Sequence, residues 1–235
     1  MLTALQRLMN RTGQTDADLS WLDGWAQRRG DRLKRVRGGA GFVIEGAHDG
    51  HLLRMEWGPP QRSYIRGQEL RLRWELGLPS ALESLVLTRG LADLLEADAY
   101  DSLTLDQQTA VDADLPEEAR WLAMYDHLSA DVLPEPMQGH YVVVGAQPHL
   151  AQQWVEGELA SRLGRAPARW MGDAPLVLMT LRGRLYLRTE AQGIEESFLD
   201  GIRNLAEVAA ASALKTASAG PRARRSRSAA PGEQL

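Results

Sequence analysis

The alternation of apolar and polar positions is sharpest between residues 42 and 76. Phe42 to Ala47 and Leu52 to Trp57 flank Asp49-Gly50, a dipeptide suited to the tight type I′ turn that joins two antiparallel strands. A two-residue turn there sets Glu45 opposite Arg54, Ile44 opposite Met55 and Phe42 opposite Trp57. One face of the hairpin then carries charge and the other carries bulk apolar side chains. Along Tyr64 to Leu76 the pattern continues. Leu70, Leu72, Trp74 and Leu76 alternate with Glu69, Arg71, Arg73 and Glu75, as in a strand with one buried and one wet face. Pro79-Ser80 ends it. Ser80-x-x-Glu83 has the form of a helix cap, but Leu85 to Thr88 reads better as a further strand.

Elsewhere the apolar period lengthens to that of helices. Leu2, Leu5, Leu8 and Met9 form one helical stripe, broken at Gly13. Thr15-x-x-Asp18 reads as a capping box before a second short helix marked by Trp21, Leu22 and Trp25. Further helices are predicted from Leu91 to Ala99 and, started by Pro116, from Glu117 to Asp126. Pro134, Pro136 and Gly139 punctuate a linker. Beyond it come a strand at Tyr141 to Gly145, a helix at Leu150 to Leu163 stopped by Gly164, and a hairpin of Leu176 to Leu181 with Leu185 to Arg188 about Arg182-Gly183. Ile194, Phe198, Ile202, Leu205 and Val208 mark one face of a final long helix. The expected fold is α+β, with antiparallel hairpins or a meander packed against amphipathic helices. It divides into N-terminal helices (1–30), a hairpin and helix module (31–133), a β-α-β-β-α module (140–215) and an Arg, Ala and Ser tail (216–235) expected to be disordered.

Composition fits a globular chain: 44% of the 235 residues are hydrophobic and 25% are charged. There is no cysteine, which excludes disulfides, thiolate metal sites and a cysteine nucleophile. No stretch reaches the ~18 consecutive apolar residues of a membrane span, and no secretory leader is read at Met1 to Asn10. The default setting is therefore cytoplasmic. The net charge of −4 conceals segregation. Between Arg28 and Arg73 basic residues outnumber acidic ones eleven to five, whereas Gly90 to Ala119 holds nine acidic residues and no basic one. The tail adds four arginines against one glutamate. Arginine far exceeds lysine, which is represented by Lys34 and Lys215 alone, and this reads as base-composition bias before selection for phosphate forks.

Each candidate chemistry has a plainer rival. His48 and His51 bracket the hairpin turn and could begin a metal site with Asp49, but no third ligand follows at a defined spacing. Gly38-Gly39-Ala40-Gly41 follows a basic run, yet it leads into a strand and not into the helix N-terminus that a phosphate loop requires. No Gly-x-Ser-x-Gly elbow or His-Glu-x-x-His helix occurs. Asp98, Asp101, Asp106, Asp112 and Asp114 lack the turning glycine of a calcium loop and read as a solvated acidic face. No cofactor or metal ligand set is assigned. Arg54, Arg71 and Arg73 share one strand face and are the best candidates for a contact surface. Glu45, Glu69 and Glu75 share that face and cancel much of its field, and residues 1–219 carry a net charge of −7, so nucleic acid is a poor fit as the partner.

Four stretches carry a resemblance: Met55-Glu56-Trp57-Gly58-Pro59, Tyr64-Ile65-Arg66-Gly67-Gln68-Glu69-Leu70-Arg71, Pro116-Glu117-Glu118 before Arg120-Trp121-Leu122, and Leu181-Arg182-Gly183-Arg184-Leu185-Tyr186-Leu187-Arg188. Over residues 20 to 210 the chain resembles uncharacterised conserved proteins of proteobacteria. That resemblance implies no activity and no catalytic residues. The expectation is a non-enzymatic protein-binding, scaffolding or adaptor module with an unknown protein partner. The alternatives are a small hydrolase or transferase with a spatially assembled site, and a nucleic-acid-associated protein using the basic N-terminal half and tail.

Overall fold

A computed structural model describes residues 19–36, 41–105 and 115–219, with the backbone alone for 101–105. The expectations for Leu2 to Met9, Thr15 to Asp18, Gly38 to Ala40, the aspartates 106, 112 and 114, and the tail from residue 220 lie outside the described residues.

The α+β expectation holds. The described residues form one eight-stranded antiparallel sheet in the order β1-β2-β3-β4-β8-β7-β5-β6, together with six α-helices. The strands are β1 (Arg32–Arg35), β2 (Phe42–His48), β3 (His51–Gly58), β4 (Glu69–Glu75), β5 (Ser84–Thr88), β6 (Tyr141–Gly145), β7 (Leu176–Leu181) and β8 (Arg184–Glu190). The helices are α1 (Trp21–Gln27), α2 (Arg89–Leu105), α3 (Glu117–Met124), α4 (Pro148–Val155), α5 (Glu158–Ala166) and α6 (Glu196–Ala219). The β7–β8 hairpin inserts between β4 and β5, so stretches on both sides of Pro134 to Gly139 build one sheet. Among the described residues, no helix is long and apolar enough to cross a membrane.

The β2–β3 hairpin has the expected register, with Glu45 opposite Arg54, Ile44 opposite Met55 and Phe42 opposite Trp57. Asp49 and Gly50 both take positive φ, 50° and 79°, as a type I′ turn requires. Period-two alternation then assigns the faces. Phe42, Ile44, Met55, Trp57, Leu70, Leu72, Leu178, Leu185 and Leu187 are buried on the inner face, in one cluster with residues of α1, α4, α5 and α6. On the outer face α2 and α3 cover β5, β6 and β7 through Leu85, Leu87, Val142, Val144, Val177 and Met179.

The polar tips of buried aromatics tie helix to helix and strand to helix or loop. The indole N–H of Trp25 donates to Asp200 at 2.8 Å, that of Trp57 to the Ala191 carbonyl at 3.0 Å and that of Trp154 to the Ala209 carbonyl at 3.0 Å. The Tyr141 hydroxyl donates to the Leu163 carbonyl at 2.9 Å. A buried ring needs such a partner, and here each partner fixes where a helix or its flank may sit.

Several boundaries differ from those read in the sequence. The run predicted as a strand from Tyr64 becomes one only at Glu69, because Tyr64 and Ile65 turn aside into the outer apolar cluster. The helix predicted over Leu150 to Leu163 is two helices, broken at Gly157, whose φ of 68° and ψ of −124° suit glycine alone. Gly164 does not stop the second helix. It lies inside α5, where a Cβ would stand 2.5 Å from the Pro136 Cβ and 2.8 Å from its carbonyl oxygen. The glycine is needed there for close approach. The final helix runs to Ala219, past the point where the tail was expected to begin. Its buried stripe is Leu199, Ile202, Leu205, Ala206, Ala209 and Ala213, with Phe198 and Val208 at the margins.

Gly164→Ala is expected to cost about 1–3 kcal/mol by overpacking. Gly24→Ala in α1, where the nearest neighbour is Arg28 at 3.5 Å, is expected to gain up to ~1 kcal/mol from helix propensity. Urea unfolding midpoints of the two variants should therefore move in opposite directions.

Candidate functional site

The part of the outer face left uncovered by α2 and α3 belongs to β1–β4 and β8, and alternation fills it with charge. Lys34 Nζ lies 2.5 Å from Glu45, and Glu45 also pairs with Arg54. Arg54 pairs in turn with Glu56. Arg71 bridges Glu56 at 2.9 Å and Glu69 at 3.3 Å, and Arg188 completes the series on Glu69. A shorter series joins Arg73 to Glu75 at 3.2 Å and Glu75 to Arg184 at 2.7 Å. The three arginines expected to form a contact face therefore do share it. The glutamates expected to cancel their field are their direct partners.

The register makes this pairing necessary. Arg54 stands directly opposite Arg73, and Arg71 directly opposite Arg188. Like charges across a ladder repel, and diagonal glutamates relieve them. Partly exposed pairs of this kind contribute about 0–1 kcal/mol each, against about 1.5–3 kcal/mol for each large apolar side chain buried on the inner face. The ionic face thus adds little to stability. A shallow cleft of about 200 Å³ lies on it, lined by Arg54, Glu56, Gln61, Arg71, Arg73 and Tyr186 among others.

At the border with α3 the same network goes inside. Glu69 and Glu118 are both fully buried. Glu118 accepts hydrogen bonds from Arg62 Nε at 3.1 and 3.3 Å and from the Tyr64 hydroxyl at 3.1 Å, and Glu69 accepts the Gln61 N–H at 2.6 Å. Burial pushes the Tyr64 phenol well above its ordinary value and the Glu118 charge adds to the effect, so Tyr64 remains a protonated donor. Burial works against the Arg62 guanidinium, but Glu118 more than offsets it and the net displacement is upward. Glu118 belongs to the acidic run from Gly90 to Ala119, yet it anchors the loop before β4. Asp93, Glu96 and Asp98 are exposed.

A second buried cluster lies at the opposite border of the sheet. Asp31 has no exposed side-chain surface. One of its oxygens lies 2.8 Å from His48 Nε2, and the other accepts from Arg203 Nη1 at 3.2 Å. Arg203 also reaches Glu207 at 2.7 Å and sits 5.6 Å over the Trp74 ring, whose buried N–H has no partner among the described residues. Gly46 leaves room for the carboxylate, since a Cβ there would lie 1.7 Å from Asp31 Oδ1. An Asp–His pair can orient a general base, but the second oxygen of this aspartate holds α6 to the sheet. His51 turns elsewhere and donates from Nδ1 to the Glu75 carbonyl at 2.9 Å. The two histidines of the turn thus take separate partners. Among the described residues no three His, Cys, Asp or Glu side chains converge as a metal set.

A further cleft of about 730 Å³ is lined by Arg66, Arg89 and His140 with Asp173 and Glu190 among others, a mixed set of charges. Sequence reasoning missed Asp31, Arg62, Glu118, Arg188 and Arg203 as a group, because their partners lie far off in the chain. Their one local signal is a charge inside an apolar period, as Arg203 shows between Ile202 and Leu205. Comparison with known proteins leaves the geometry to stand alone, since no family model, no curated protein and no solved structure matches the chain.

Asp31→Ala is expected to cost up to about 3–5 kcal/mol by removing the buried partner of Arg203 Nη1 and leaving that guanidinium with the half-exposed Glu207 alone. Asp31→Leu combined with Arg203→Met should cost less than the sum of the two single changes, as a double-mutant cycle in urea would read out.

Acid should also weaken the open face. Lys34, then Arg54, holds Glu45 below its ordinary value of 4.5. Burial raises Glu56, but its hydrogen bonds to Arg71 and Arg54 prevail and leave it lowered. Carboxylates with depressed folded values contribute stability that is complete above the ordinary value and is lost as pH falls through the folded one. The denaturation midpoint should therefore fall below pH 4.5, and less so in E45Q/E56Q.

Proposed function

We propose that the chain is a non-enzymatic protein-binding module, an adaptor whose contact surface is the open outer face of β2, β3, β4 and β8. The observation that carries this reading is the meeting of Arg54, Arg71 and Arg73 on a sheet face that no described helix covers, while the inner face packs against α1, α4, α5 and α6. Arg54 and Arg73 are directly opposed, with side chains 38% and 49% exposed. A partner carboxylate set between them would relieve their repulsion and could exchange with the intramolecular glutamates at small net cost. Guanidinium forks suit that exchange because they accept carboxylates in a fixed planar geometry. The same glutamates weaken the field that a phosphate backbone would need, which favours a protein over nucleic acid as the partner. A cytoplasmic setting and independence from any cofactor belong to the same reading.

The test is affinity capture by the tagged protein from nuclease-treated lysate of its native host, comparing wild type with R54Q/R73Q. A stoichiometric protein partner is expected for the wild type. The double variant should bind it about tenfold more weakly, the scale of two contacts of about 0.7 kcal/mol each, with its melting temperature nearly unchanged. A partner held equally well by the variant, or one lost on nuclease treatment, would overturn the reading.

A further inference from the structure

On the inner side of the sheet, α5 and α6 enclose a groove of about 570 Å³. One wall carries Arg162, Arg165 and Arg169, spaced three and four residues apart and therefore aligned on one side of α5 and the π-helical turn Pro167–Met171 that extends it. The facing wall carries Ser197, Asp200, Gly201 and Asn204 of α6.

The charge of this groove is unbalanced. Arg162 is tied to Glu158 at 2.6 Å. Arg165 donates within its own helix, to the Ser161 carbonyl at 3.0 Å and to its hydroxyl. Arg169 has no carboxylate partner among the described residues. Asp200 is the one carboxylate in the lining, and it is already engaged by the Trp25 indole at 2.8 Å and Arg29 at 2.6 Å. Two exposed guanidinium groups thus face the groove without a counter-charge, in a chain of net charge −4.

We infer that this groove binds an extended acidic polypeptide segment, with carboxylates at alternate positions seated on Arg165 and Arg169. The two arginines are separated by roughly 5–6 Å along the helix axis. Same-face side chains of an extended peptide recur at about 6.6 Å, so an Asp-x-Asp pattern presents one carboxylate to each. Asn204 supplies an amide for the main chain of the bound segment. Single-stranded nucleic acid fits less well. It needs an open aromatic face for stacking, and Trp170 does not offer one. Its ring meets Phe198 edge to face at 5.8 Å and lies so close over Gly201 that a Cβ there would come within 2.6 Å of it.

The groove and the open ionic face lie on opposite sides of the sheet, so this inference stands independently of the adaptor reading. It is tested by fluorescence anisotropy with a dye-labelled peptide of alternating aspartate and alanine. The peptide is expected to bind, and to bind more weakly as salt rises. R165Q/R169Q should lower the affinity about tenfold, R169Q alone less, and R54Q/R73Q not at all, with helical circular dichroism unchanged in each. The inference is overturned if an alternating asparagine and alanine peptide binds as well, if R165Q/R169Q leaves affinity unmoved, or if a single-stranded oligonucleotide of equal charge binds more tightly.

Discussion

The pairing of β4 with β8 is the constraint on which the rest of the molecule depends. It runs in register from Glu69 opposite Glu190 to Glu75 opposite Arg184, and it carries the ion pair of Glu69 with Arg188, 119 positions away in the chain. Without it the meander β1–β4 would end in an open edge, and β5 to β8 would form a separate small sheet. With it both faces become continuous. The inner face gains a single apolar floor for α1, α4, α5 and α6, and the outer face gains the arginines of β8 that neutralise the glutamates of β4. Such distant pairing costs loop-closure entropy before it returns any contact energy. The returns are therefore concentrated at this seam: seven ladder pairs, a buried carboxylate, and a buried row of Leu70, Leu72 and Trp74 against Leu185, Leu187 and Thr189.

The two faces divide the work between them. Apolar burial, on the inner face and under α2 and α3, supplies most of the stability, and the open ionic face disfavours other strand registers. Like charges stand opposite one another along β3, β4 and β8, and one arrangement of glutamates neutralises them. A slip of one residue in the β4–β8 register would turn Leu70, Leu72 and Trp74 out to solvent and carry Arg71 and Arg73 into the core. The buried carboxylates at the two borders, Glu118 on one side and Asp31 on the other, extend the same logic from the sheet to the helices that flank it.

Much of this was legible in the sequence where the information is local. The β2–β3 register follows from Asp49-Gly50 and the alternation on either side, and β6, β7 and β8 follow from short apolar runs and from Arg182-Gly183. The placement of Arg54, Arg71 and Arg73 on one face was legible for the same reason. What the sequence concealed is what depends on distant partners. Gly164 resembles a helix stop until Pro136 packs against it, and Glu118 resembles one more solvated acid until Arg62 and Tyr64 surround it. Gly157 carried the opposite lesson, since a glycine inside an apolar period proved to be the break. The clustering of Asp31, His48 and Arg203 has no local signature, because it needs the hairpin and the last helix to meet.

The aromatic anchors bear on how the chain is made. Trp25 and Trp57 belong to the early part of the chain, yet their indole N–H groups are satisfied by Asp200 and the Ala191 carbonyl. The free edge of β4 is likewise closed by β8. A growing polypeptide that has emerged only as far as β6 holds an incomplete sheet, two indoles without their acceptors and an apolar face crossed by α1 but not yet by α4, α5 or α6. The nascent molecule therefore completes its native core only after translation of α6, and until then it carries exposed apolar surface of the kind that makes incomplete folds prone to aggregate.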